Sequence, residues 1–168
     1  MKTLWKTSSP VGTLTLQFNE QALEAIHFGD VEIEGYEIMQ TPLSDRTVLE
    51  LEEYFEGKRE VFTIPLSLQG TPFQKQVWEI LKEIPIGETR TYKDIAQLIG
   101  HEKAYRAVGL ANNKNKIPII IPCHRVIGSS GKMVGYAGGL EIKETLLKLE
   151  AEYRLKNDSL GIATFENS

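Results

Sequence analysis

The stretch PIIIPCHRVI, residues 118–127, holds the only cysteine of the chain, Cys123, followed directly by His124 and Arg125. A thiol beside an imidazole is the raw material of nucleophilic chemistry. A free cysteine, with a pKa of about 8.5, is mostly neutral at pH 7, so attack needs a base to take its proton or a positive neighbour to favour the thiolate. In an extended chain adjacent side chains point to opposite faces, and His124 then reaches the thiol only through a turn or a bridging water. Glu150, on the last helical pattern of the chain, is a candidate to orient the imidazole and stabilise its protonated form. The same residues also fit an inert core cysteine and a solvated helix glutamate, and the pattern alone leaves both readings open.

Three isoleucines between Pro118 and Pro122 predict a short buried strand that ends at the thiol. After it, GSSGKMVGYAGG (128–139) is too rich in glycine for a regular element and predicts a loop. That loop lacks the Walker spacing and the GxGxxG pattern, so nucleotide phosphate binding is not expected. LEIKETLLKLEAE (140–152) predicts a helix burying Ile142, Leu146 and Leu149, with Glu150 one turn beyond Leu146 on the same side. A carboxylate on that face must be paired, because burying it alone is costly.

Upstream, Thr71 and Pro72 open a helix whose apolar face is Phe73, Val77, Ile80, Leu81 and Ile84, ending at Pro85. Thr91 with Asp94 forms a capping-box pattern for a helix that stops at Gly100, and a second helix in KAYRAVGLAN (103–112) follows at once. Residues 91–113 therefore read as helix, short turn, helix, an arrangement used both for plain packing and for DNA binding. The N-terminal third predicts an antiparallel hairpin in GTLTLQFNEQALEAIHF (12–28), a loop over 29–42, a helix after Ser44 ending at Gly57, and a strand in VFTIPL (61–66). The expected class is α+β: an N-terminal antiparallel sheet with a helix (1–70), then a mainly helical domain (71–168) carrying the helix-turn-helix and the cysteine.

Charge is unevenly placed along this chain of net charge -4. Residues 1–60 hold five cations against twelve carboxylates, whereas residues 100–135 hold six cations and only Glu102. A basic region around the thiol fits a polyanionic partner. A single cysteine excludes an internal disulfide and multi-cysteine zinc sites, and with three histidines no metal is expected. No signal-like or membrane-spanning apolar run is visible, so a cytoplasmic protein with no membrane partner is expected.

IPCHRVI, then GYAGG, then KETLLKLE resembles the active-site region of the O6-alkylguanine-DNA alkyltransferases, the methylated-DNA-protein-cysteine methyltransferases. The similarity runs from TPFQKQVWEILKEIPIGETRTYKDIA through Glu150, about half the chain, and the N-terminal part is compatible with that family's variable accessory domain. The resemblance implies an irreversible, single-turnover transfer of the alkyl group from O6 of guanine in double-stranded DNA to Cys123, by a monomer and without cofactor. O4-alkylthymine is a second candidate substrate. Cys123 matches the acceptor, His124 the base acting through water, Glu150 its carboxylate partner, and Tyr92 the phenol that donates to the guanine ring. Arg106 matches the residue that replaces a flipped-out nucleotide in the stack, on a helix that enters the minor groove. Lys103, Ala107, Arg125 and Tyr92 complete the DNA-binding set. Asn115 matches the asparagine that ties the helix pair to the active-site strand. Tyr136, Val126, Ala137 and Gly138 match the pocket wall, with Ala137 where some relatives carry serine. A lesion-binding module without transfer, a Cys-His hydrolase and a regulator sensing alkylation are the competing classes. Cys123 opposes the first, and Arg106 with the paired helices is unexplained by the second.

Overall fold

The computed structural model describes residues 1–129, 131, 136 and 138–166, with side chains as far as 157. Strands β1 (Thr3–Ser9), β2 (Gly12–Phe18), β3 (Leu23–Phe28) and β4 (Glu37–Ile38) form one sheet in the order β3-β2-β1-β4. β1, β2 and β3 run as an antiparallel meander, as expected for 12–28, and β4 adds a two-residue parallel edge beside Thr3 and Leu4. Leu14, Leu16 and Phe18 alternate along β2 and are buried on one face. Helix α1 (Pro42–Phe55) packs over β1. It begins a turn earlier than the sequence suggests: Thr41 is the N-cap, and Ser44 is the third helical residue that closes the capping box.

The expected strand at 61–66 does not form. Only Leu66 bridges to Leu23, and the Thr63 backbone is claimed by α1: Glu50 accepts from the Thr63 N–H at 2.7 Å and Arg46 donates to the Thr63 carbonyl at 2.7 Å. Pro65, which has no N–H, contributes only its carbonyl, to Leu23.

Helices α2 (Pro72–Lys82), α3 (Tyr92–Ile99), α4 (Tyr105–Asn113) and α5 (Leu140–Glu166) follow. Thr71 and Thr91 cap α2 and α3 as their sequence patterns predict, and Gly100 ends α3 in the left-handed conformation, φ 91°. A 3-10 turn, Glu102–Ala104, separates α3 from α4 where the sequence suggested direct succession. Trp78 of α2 donates its indole N–H to the Ala111 carbonyl of α4 at 2.8 Å, satisfying the one polar atom of an otherwise buried ring. Two short strands, β5 (Arg90–Thr91) and β6 (Val126–Ile127), pair in parallel and fasten the start of α3 to the segment just after the cysteine. Buried residues of both halves, from Leu14 to Leu146, join one core cluster.

The segment 118–121 is not a strand. Pro118 and Pro122 lack donors for a ladder, and the chain coils instead, with the Ile121 N–H on the Ile117 carbonyl at 3.0 Å. Ile119 takes a φ of 74°, an unfavourable region for a β-branched residue at a cost of about 1–3 kcal/mol. Asn115 holds this coil from inside: its Nδ2 donates to the Ile121 carbonyl at 2.8 Å and its Oδ1 accepts from the Ile117 N–H at 2.9 Å.

Candidate active site

Pro122, at φ -80° and ψ 63°, turns the chain so that the Cys123 N–H meets the Ile121 carbonyl at 2.7 Å, an inverse γ-turn. A 3-10 turn, Cys123–Arg125, follows immediately. This turn, rather than a strand, presents the thiol and brings His124 and Arg125 into the interior: Cys123 is 4 % exposed, His124 0 % and Arg125 5 %. Burial pushes the Cys123 pKa up to about 11, against the opposing pull of the Asn115 side chain and the Lys143 charge. At neutral pH the group is a thiol, so a base is required.

His124 Nε2 lies 2.7 Å from Oε2 of Glu150, which α5 delivers from the opposite side. Burial lowers the His124 pKa, although Glu150 pulls it the other way. Burial also pushes Glu150 toward the neutral acid, but His124 and the Arg125 guanidinium outweigh it and hold the carboxyl down to about 2. With an ionised Glu150 accepting at Nε2, the proton of neutral His124 sits on Nε2, and Nδ1 is left as the basic atom. Among the described residues, Nδ1 has no hydrogen-bond partner.

The structure therefore brings Cys123, His124 and Glu150 into one buried site. Arg125, expected at the DNA contact, is turned into the interior. Its Nε and Nη2 are 2.8 and 2.9 Å from the two Glu150 oxygens, and Nη1 donates to the Ile84 carbonyl at 2.6 Å. Each guanidinium nitrogen is thus engaged inside the protein, and the side chain is only 5 % exposed.

Tyr92, at the first position of α3, is half-buried, and burial together with the nearby Cys123 raises its pKa, so it remains a hydrogen-bond donor. Tyr136 lies beside the thiol, its ring 5.7 Å from Phe28 of β3 and 6.5 Å from the His124 ring, with burial and Cys123 raising its pKa. Its hydroxyl is buried and outside regular hydrogen-bond geometry with any described group. Val126 is fully buried, its carbonyl accepting from Lys143 Nζ at 2.7 Å. Gly138 packs so closely on Phe28 that a Cβ there would stand 2.8 Å from that ring. Ala137 lies outside the described residues. On α4 and the turn before it, Lys103, Arg106 and Ala107 are exposed, and Arg106 stacks 5.8 Å over the Tyr105 ring.

Three residues of the site escape sequence reasoning. Tyr54 of α1 donates its hydroxyl to Glu150 Oε2 across 96 positions of sequence. Lys143, 0 % exposed, reads in sequence as an ordinary helix lysine. Asn112 places its amide 3.4 Å from the Cys123 carbonyl. The short β5–β6 pairing gives no local signal either. Among the described residues no group of three His, Cys, Asp or Glu could hold a metal ion, and no helix is long and apolar enough to cross a membrane.

The chain matches two family models: the 6-O-methylguanine DNA methyltransferase ribonuclease-like domain over residues 5–68 and the DNA-binding domain of the same family over residues 72–152. A methylated-DNA–protein-cysteine methyltransferase of Methanosarcina barkeri is 55 % identical over 146 residues, covering 84 % of this chain and 92 % of its own length. The constitutive enzyme of that name from Bacillus subtilis is 42 % identical over 150 residues, covering 84 % and 91 %. The crystal structure of Mycobacterium tuberculosis OGT in complex with DNA superposes with a TM-score of 0.83 at 42 % identity, covering 90 % of this chain and 94 % of that one. The chain belongs to the 6-O-methylguanine DNA methyltransferase family.

Proposed function

We propose that this protein repairs DNA by taking the alkyl group from O6-alkylguanine onto Cys123, once per molecule. One observation carries the reading: a buried thiol with a pKa of about 11 shares its 3-10 turn with a histidine whose other nitrogen is held by an ionised glutamate. His124 Nδ1 takes the thiol proton by way of one bridging water, and Glu150 stabilises the imidazolium that results. The thiolate then attacks the saturated alkyl carbon in line. A C–S bond forms, the C–O6 bond breaks, and its electron pair stays on guanine. Tyr92 donates to the guanine ring and lowers the cost of that charge. The product is a thioether, which the site has no group to cleave, so each molecule acts once. The alkyl donor is the substrate and the acceptor is the protein, so the transfer needs no cofactor.

A thiol this deep cannot reach a stacked base, so the nucleotide is rotated out of the duplex at a cost of a few kcal/mol. Arg106 fills the gap, with α4 in the minor groove and Lys103 and Ala107 against the strand. Asn115 keeps the helix pair in register with the thiol, and Tyr136, Val126 and Gly138 wall the base pocket. The division into an accessory unit (1–70) and a transferase unit (71–168), a monomeric state and a cytoplasmic location belong to the same reading. The DNA complex of the M. tuberculosis relative supports the partner.

The test is intact-protein mass after mixing with a duplex carrying one O6-methylguanine, followed by peptide mapping. One methyl on the Cys123 peptide, stopping at one per protein, is the expected outcome. An unchanged mass with tight binding would overturn transfer in favour of lesion recognition.

A further inference from the structure

The Glu150 carboxylate is the hub of the site, and its donors come from two distant parts of the chain. Arg125 and His124 reach it from the 3-10 turn, whereas Tyr54 reaches Oε2 from α1, in the half of the sequence that carries none of the reacting groups. Tyr54 is 1 % exposed, and its ring is fixed edge-on to Phe55 at 5.0 Å and tilted against Phe62 at 5.7 Å. Phenylalanine would fill this place without burying a hydroxyl, which is costly unless it is bonded. The hydroxyl has one described acceptor, the oxygen that also binds His124 Nε2.

We propose that Tyr54 is a positioning residue for alkyl transfer: by donating to Glu150 Oε2 it fixes the carboxylate and restrains the basicity of His124, so that the sheet-bearing half takes part in activating Cys123. This rests on the transfer reading given above. An ionised carboxylate accepts only, so the Tyr54 hydroxyl is committed to donating, and burial with the adjacent Glu150 charge keeps it protonated. Three donors, the Tyr54 hydroxyl, His124 Nε2 and Arg125 Nη2, share the charge of Oε2. Removing Tyr54's share strengthens the pull of Glu150 on the imidazole N–H and makes Nδ1 more basic, while the carboxylate loses one of the contacts that hold its rotamer. The other charged or titratable groups around the pair are Arg125 and Cys123 on the turn, Lys143 on α5 and Tyr136, and Tyr54→Phe changes none of them.

The experiment compares wild type and Tyr54→Phe in two measurements: the rate constant of methyl transfer from an O6-methylguanine duplex across pH, and the NMR titration of the His124 imidazole in the free protein. Tyr54→Phe is expected to lower the rate about tenfold, roughly one lost charge-assisted hydrogen bond, and to move the His124 titration to higher pH. Phe62→Leu disturbs the same ring packing without touching the carboxylate and should leave the titration in place. An unmoved His124 titration in Tyr54→Phe, or the same displacement in Phe62→Leu, overturns the proposal. If the wild type itself transfers no methyl, the transfer reading falls, while the titration still decides whether Tyr54 acts on His124.

Discussion

Arg125 grips both oxygens of Glu150, Nε to Oε1 at 2.8 Å and Nη2 to Oε2 at 2.9 Å, in the interior of the protein. Removing one partner of a buried pair strands the other charge, at about 3–5 kcal/mol. Arg125→Met is therefore expected to lower the urea unfolding free energy by roughly that amount. The salt dependence of DNA binding by the folded protein, which counts phosphate contacts, should stay as in wild type. A shallower salt slope would return Arg125 to the DNA surface.

Cys123→Ala removes the acceptor but leaves α3, α4 and the cations of the helix pair untouched. Methyl transfer, followed by protein mass, should vanish, and affinity for duplex DNA should change by less than about threefold, within the range of a substitution away from the contact surface. Retained transfer in this variant would remove the central assignment.

Arg106 is exposed on α4 and touches none of the reacting groups. If it holds a duplex open around a rotated nucleotide, Arg106→Ala should slow repair of duplex DNA by about tenfold or more and act far less on transfer from the free modified base, which has no stack to leave. Equal losses on both substrates would count against that role.

Acid should weaken the fold in two stages. The pKa of His124 is lowered on folding, so below about 6.5 the unfolded chain binds a proton that the folded chain resists, and stability declines as pH drops. Glu150 is held down to about 2 against an ordinary 4.5, so its contribution is complete above 4.5 and is lost as pH falls from there toward 2. Urea unfolding at a series of pH values should show both declines in wild type. Glu150→Gln should be less stable at pH 7 and should show a smaller lower stage, leaving the share due to Glu50, whose carboxyl is also held down.

Local signals made much of this legible. The Thr71 and Thr91 caps, the meander and the face shared by Leu146 and Glu150 obey rules of spacing over a few residues, and the structure agrees. The two misread strands share a feature. PIII and VFTIPL have the apolar, β-branched composition of strands, but each contains a proline; the first coils on its neighbours Ile117 and Asn115, and in the second the Thr63 backbone is claimed by Glu50 and Arg46 of the preceding helix. Arg125, a cation in a basic stretch beside the thiol, carries no sequence signal of an interior role. Its partners in the structure, Glu150 and the Ile84 carbonyl, lie 25 and 41 positions away. Tyr54 is the extreme case, since nothing within a helical turn of it hints at a carboxylate 96 residues on.

The depth of Cys123 has a further consequence. A reagent that works once is wasted by every encounter with the wrong electrophile, and a cell under alkylation stress is full of small ones. A neutral thiol, 4 % exposed, with a pKa of about 11, is a poor target for any of them. The shelter that makes the nucleophile dependent on His124 also works as a safety catch, preserving the protein's single shot for a lesion that fits the pocket.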